Sequence, residues 1–135
     1  MTKTRMSLEA VEALALDALL HVGTEETAAR SLARAVRAAE YDGMHSHGLL
    51  YLPTYCEHVR CGKVDGAAVP VVLAHKGAAV VVDAATGFAH PAIDVGFERL
   101  IPAAHNVGCA ALTIRNSYNC GALGYHVERL AIAGL

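Results

Sequence analysis

Two imidazoles and a hydroxyl occupy consecutive positions in His45-Ser46-His47, with glycines on either side at Gly43 and Gly48. Histidine can give or take a proton near neutral pH, and a neighbouring hydroxyl can orient it or hydrogen-bond a substrate. No hydrophobic period accounts for this composition. The glycines permit turn conformations closed to other residues. The stretch therefore reads as a tight loop that presents Ser46 and His47 on a rigid platform. The competing reading is a polar helix-to-helix turn with surface histidines, because short motifs recur by chance.

A second polar stretch, Arg115-Asn116-Ser117-Tyr118-Asn119-Cys120-Gly121-Ala122, follows an apolar run and precedes a helical one. A loop in that place gathers free amides at a helix N-terminus, which suits anionic or polar ligands, and Gly121 lets a ligand approach the backbone. Neither the GxGxxG nor the GxxxxGK[ST] nucleotide pattern is present. Cys56 and Cys61 lie near His45, His47 and His58 and raise a zinc reading. Four residues separate them, at the edge of zinc-ligand spacing, and no second pair follows. Reduced thiols and no metal are expected.

These residues must be held by something. With 54% hydrophobic and 18% charged residues over 135 positions, the chain can build a real core and is not disordered. A net charge of -2 with scattered basic residues, few aromatics and no Trp argue against nucleic-acid binding. The basic start, Met1 to Arg5, leads into no uninterrupted apolar run, and no stretch reaches membrane-spanning length. A cytoplasmic protein without a membrane partner is expected.

Periodicity predicts a helix over 8–21, capped by Ser7 and burying Val11, Leu14 and Leu19. A second helix, capped by Thr24, buries Ala28, Ala29, Leu32, Ala33 and Val36 and turns Arg30, Arg34 and Arg37 outward. A third, over 49–61, takes Pro53 in its first turn and buries Leu52, Tyr55 and Val59. Residues 63–70 read as a surface connection. Strands over 71–73 and 79–82 pair as a hairpin. A helix over 91–105, with Pro102 kinking or fraying its end, leads to a strand over 108–114 that is apolar enough to be covered on both faces. A last helix spans 123–133. The fold class is α/β: N-terminal helices, then a small mixed sheet with a crossover helix. The chain divides at 62/63, and it stops where a further strand is expected, which reads as truncation.

Several segments taken in order resemble one family. They are Ala39-Glu40-Tyr41-Asp42-Gly43, Ser46-His47-Gly48-Leu49, Leu52-Pro53-Thr54-Tyr55, Gly62-Lys63, Val82-Asp83-Ala84 ahead of Gly87, and Asn116-Ser117 with Gly121-Ala122 before Tyr125 and Glu128-Arg129. The chain resembles the N-terminal part of the malate/L-lactate dehydrogenase family of NAD(P)-dependent oxidoreductases, which is distinct from the Rossmann-type lactate dehydrogenases. The resemblance implies a sulfolactate dehydrogenase-like fold, with 63–135 beginning the cofactor-binding domain. It implies NADH- or NADPH-dependent reduction of a 2-oxo acid or a cyclic imino acid, hence a small carboxylate substrate, and a homodimer. It makes His47 the proton donor and Ser46 part of its hydrogen-bond relay. Asn119, Cys120, Gly121, Ala122 and Leu123 fall in the cofactor-binding segment. Tyr51 stands where the family usually has an arginine that grips the substrate carboxylate. Asn119 stands where many members have histidine, which leaves His47 as the acid. His21, His75, His105 and His126 read as surface or helix-end residues. The alternative to an enzyme is a catalytically incomplete form acting as an association module.

Overall fold

The computed structural model describes residues 5–135, so the start of the basic N-terminal segment lies outside the described residues. Ser7 is extended, and its Oγ accepts the Ala10 N–H at 3.1 Å, opening helix α1 (Leu8–His21). Helix α2 (Glu26–Tyr41) packs along it through alanines. Ala29, Leu32, Ala33 and Val36 meet Val11, Ala15 and Leu19 in one buried cluster. Leu14 is 47% exposed, contrary to expectation, because it lies off this stripe. Thr24 does not cap α2. The Glu25 N–H donates to Gly66 O at 2.8 Å, which draws Thr24 into the interior. The cap passes to Glu25, whose carboxylate accepts the Ala28 N–H at 3.1 Å.

After a 3-10 turn at His45–His47, helix α3 (Leu52–Arg60) starts three residues later than predicted, with Pro53 in its first turn. Leu52 and Tyr55 join the first cluster, and Val59 packs against it. Residues 63–70 are more than a surface connection, since Val64, Gly66 and Ala68 are buried. Val64 and Phe88 complete the helical cluster from the far side of that segment.

Strands β1 (Val71–Lys76) and β2 (Ala79–Asp83) pair antiparallel, with an irregularity between Val72 and Ala74. Helix α4 (Ala89–Val107) then crosses over, and β3 (Ala111–Arg115) pairs parallel to β2 from Ala79↔Ala111 to Asp83↔Arg115. Sheet order is β1-β2-β3. Helix α4 lays Ala92, Ile93, Phe97 and Leu100 on Val80, Val82, Leu112 and Ile114. Gly96 lets the helix come close, because a Cβ there would overlap the Leu112 side chain. The helix continues past Pro102 to Val107, two residues beyond its expected end. Strand β3 is covered on one face only: Leu112 and Ile114 are half-buried, while Ala111, Thr113 and Arg115 are exposed. Helix α5 (Leu123–Ile132) ends the described chain. The expected α/β architecture, helices first and then a mixed sheet with a crossover helix, is therefore present.

Asp83 fastens the ends of β2 and β3. Its carboxylate takes the Arg115 guanidinium at 2.7 Å, the Asn116 amide at 3.1 Å and the Ala85 N–H at 2.8 Å. These bonds, led by the backbone one, hold the Asp83 carboxyl below its usual range. They also hold Ala85, Thr86 and Asn116 in left-handed conformations at φ 51°, 64° and 49°.

Candidate active site

Helix α2 ends in Glu40, and the His-Ser-His turn is built on that carboxylate. One oxygen accepts the Leu49 N–H at 2.8 Å, and the other meets His45 Nδ1 at 2.6 Å. Gly48 sits so close to Glu40 that any Cβ would overlap the carboxyl group. Backbone bonds from Met44 N to Ala39 O and from His47 N to Met44 O, both 2.8 Å, close the turn. The platform read from the glycine spacing therefore exists, and Gly48 is needed for space, not for φ. His45 is committed to Glu40. Ser46 is exposed and His47 half-buried. Among the described residues no hydrogen bond joins the Ser46 hydroxyl to the His47 ring.

From this turn the chain enters α3, and helical spacing sets Tyr51, Tyr55 and His58 along one side. All three meet the loop between β3 and α5. The Tyr118 hydroxyl lies 2.5 Å from His58 Nδ1 and 3.4 Å from the Tyr51 hydroxyl. The Tyr55 hydroxyl donates to Asn119 Oδ1 at 3.5 Å, and that oxygen also accepts the Gly121 N–H at 3.1 Å. Burial, and then the neighbouring Tyr51, push the Tyr55 phenol up to about 12. Burial and the bond to Tyr51 push Tyr118 up as well. Both phenols therefore stay protonated at neutral pH. The His-Ser-His turn and the 116–122 loop, 70 residues apart in sequence, are thus joined through the tyrosines of α3.

Beneath the loop lies a feature missing from the sequence reading. His90, on the first turn of α4, is 1% exposed, and neither ring nitrogen has a hydrogen-bond partner. His126 of α5 is buried, not at the surface as expected, and its Nε2 bonds Cys120 O at 2.9 Å. The two rings are 5.4 Å apart. Burial, reinforced by His126, pushes His90 down to about 3, and burial lowers His126 too. Both are neutral near pH 7. A Cβ on Gly121 would stand 3.2 Å from His90 Nε2, and Gly121 has φ 65°. Gly121 is therefore fixed both by its conformation and by the imidazole below it. His90 could have been noticed from its spacing with Ile93, Phe97 and Leu100, which puts an imidazole on the apolar face of a helix.

The predicted cofactor segment is spread over this edge. Asn119 is exposed, Cys120 and Gly121 are half-buried, Ala122 is buried, and Leu123 is 69% exposed. Helix α5 begins after Ala122 with no side-chain cap; the Tyr125 N–H turns back to Ala122 O at 3.3 Å, and the Leu123 and Gly124 N–H groups have no intrahelical partner. That fits the anionic or amide part of a nucleotide at Leu123 and Gly124. Helix α5 is fixed from below by Asp94, which takes Arg129 at 2.7 Å, Arg34 at 3.1 Å and the Ser31 hydroxyl at 2.5 Å. All four cysteines are free thiols. Among the described residues no group of three His, Cys, Asp or Glu side chains is placed to hold a metal, and no helix is long and apolar enough to cross a membrane.

The arrangement defines an α/β chain in which a braced histidine turn leads into a tyrosine-bearing helix that contacts a glycine-containing strand-to-helix loop. Comparison with known proteins agrees with that class. The malate/L-lactate dehydrogenase family model matches residues 6–135. A Δ1-pyrroline-2-carboxylate reductase of Ancylobacter novellus is 40% identical over 131 residues, covering 97% of this chain and 38% of that protein. A (2R)-3-sulfolactate dehydrogenase (NADP(+)) of Chromohalobacter salexigens is 45% identical over 130 residues, covering 96% and 39%. The crystal structure of Δ1-piperideine-2-carboxylate reductase from Pseudomonas syringae superposes with a TM-score of 0.93 at 38% identity, covering 98% of this chain and 40% of that one. The chain belongs to the malate/L-lactate dehydrogenase family, and it spans about two-fifths of the length of these relatives.

Proposed function

We propose that this chain is the proton-donating half of an NAD(P)H-dependent oxidoreductase acting on a 2-oxo acid or a cyclic imino acid. The observation that carries this reading is the His45–His47 turn, built on the Glu40 carboxylate and linked through α3 to the Gly121 loop. The His47 imidazole gives its N–H proton to the oxygen or nitrogen that gains negative charge or basicity on reduction. Ser46 presents its hydroxyl beside it. Tyr51 stands at the substrate carboxylate, where a phenol makes a single hydrogen bond in place of a bidentate charged pair. Asn119 to Leu123 hold part of the dinucleotide through backbone N–H groups; the nucleotide, when bound, supplies hydride. The whole enzyme works as a homodimer in the cytoplasm, with 63–135 opening its cofactor domain.

Fluorescence titration with NADH and NADPH, followed by turnover with 2-oxo acids and cyclic imines, tests this. Saturable binding and reduction support it; neither cofactor binding nor turnover, in this chain or joined to the remaining length found in its relatives, overturns it. A second reading, an association module, is favoured by exposed apolar side chains on α5, where Leu123, Val127 and Ile132 are 69%, 63% and 80% exposed. A monomer at all concentrations in light scattering would overturn that second reading.

A further inference from the structure

Arg30, Arg34 and Arg37 stand along α2. Arg30 is committed to Glu26, four residues before it, at 2.7 Å. The other two are less well matched. They lie three positions apart on the helix, so their guanidiniums are neighbours. Both line a cleft of about 330 Å³, together with Ala38 and Tyr41 of the same helix, Leu8 of α1 and Tyr125 of α5. The carboxylates nearby do not cover the charge of this pair. Asp94 serves two guanidiniums, Arg129 at 2.7 Å and Arg34 only at 3.1 Å. Arg37 meets Glu12 at 3.5 Å and Glu9 at 4.0 Å, both long for an ion pair, and Glu9 is 78% exposed, where water screens the contact. The Arg37 Nε is shielded from water and has no hydrogen-bond partner among the described residues. A donor on a cation left in that state is costly, and an acceptor bound in the cleft would remove the cost.

The rest of the lining is apolar or aromatic. Tyr41, one turn beyond Arg37, is 74% exposed and packs against no other aromatic ring among the described residues. Tyr125 lines the cleft from α5, with the Arg129 guanidinium 5.3 Å from its ring centroid. We propose that this cleft binds a small aromatic ring carrying an oxyanion, either a carboxylate or a phosphate ester. The oxyanion takes N–H donors of Arg34 and Arg37, and the ring lies against Tyr41 and Tyr125. A bare inorganic anion would leave the phenols and Leu8 unused. A neutral ring would leave the guanidiniums as poorly matched as they are. The volume suits a single ring with its charged group.

The test is titration of the chain with benzoate and with phenyl phosphate, followed by NMR of the arginine Nε–H and tyrosine ring signals. Saturable shifts at Arg34, Arg37, Tyr41 and Tyr125 are expected with at least one of the two, and the tighter one tells carboxylate from phosphate ester. Acetate, inorganic phosphate and benzyl alcohol should each bind at least about tenfold more weakly than that ring. Arg34→Gln, Arg37→Gln and Tyr41→Ala, all changes at exposed or half-exposed positions, should each weaken it by about the same factor. Arg60→Gln removes an exposed charge from α3 and should leave the affinity unchanged. No saturation with either ring, equal affinity for inorganic phosphate, equal weakening by Arg60→Gln, or shifts confined to Tyr51 and Tyr118 would each overturn the proposal. None of these outcomes touches the oxidoreductase reading.

Discussion

The residues closest to the chemistry make separable predictions. If His47 is the proton donor, His47→Ala lowers turnover by about 10²-fold or more, with the circular dichroism spectrum unchanged. Wild-type rates in that variant would remove His47 from the mechanism. His90 predicts a pH effect on stability instead. Its imidazole is neutral when folded down to about pH 3, whereas an unfolded histidine protonates near 6.5. Between those values the unfolded chain binds the extra proton, so stability falls as pH drops from about 6.5 toward 3, at up to about 1.4 kcal/mol per pH unit from this group. His126, shifted in the same direction, adds to the slope. His90→Leu should therefore flatten the acid side of a urea-melt series without removing its slope entirely; an unchanged slope would mean that His90 is not buried neutral. Gly121→Ala meets both a left-handed backbone and the His90 ring, and should cost about 1–3 kcal/mol in the same melts. Ser46 and His47 stood out in the sequence because their composition fits no core pattern, and the brace that Glu40 gives their turn did not. His90 was passed over although its spacing with Ile93, Phe97 and Leu100 sets it on the core face of α4; that its two nitrogens lack partners is seen only in the fold. The alignment of Tyr51 and His58 on Tyr118 depends on a contact across roughly 60 positions, which helical periodicity does not carry.

At the level of elements, Asp94 joins α2, α4 and α5 through one carboxylate. Asp94→Ala leaves the Arg129 guanidinium over Phe97 and Tyr125 without its carboxylate. Hydrogen exchange should then accelerate in 123–132 while α1 and the start of α2 stay protected; uniform acceleration would make Asp94 a general stability residue instead. Most helices were readable from capping and period, as Ser7 and the alanine face of α2 show. The misreadings share a cause, which is tertiary contact overriding a local rule. Thr24 lost the cap to Glu25 because the Gly66 carbonyl takes the Glu25 N–H. Pro102 did not fray the end of α4, which runs to Val107, because its ring is at an exposed position and Ala104 beyond it is still buried. The composition of β3 announced two covered faces, whereas only Leu112 and Ile114 find a partner layer.

Across the whole molecule, the crossover from β2 to β3 sets the order in which the chain can be assembled. The β1–β2 hairpin turns at Gly77, and α1 and α2 are joined by a short loop, so both pairs form from local contacts. The inner edge of β2 has to wait for α4. During synthesis β3 emerges roughly 30 residues after β2, a delay of a few seconds at about 5–20 residues per second. For that interval Val80-Val81-Val82 presents an unpaired, charge-free edge. The consequence is kinetic: yield from the ribosome is governed by how quickly α4 delivers β3 to this edge, and slowing translation within α4 should raise the insoluble fraction without changing the stability of the finished fold.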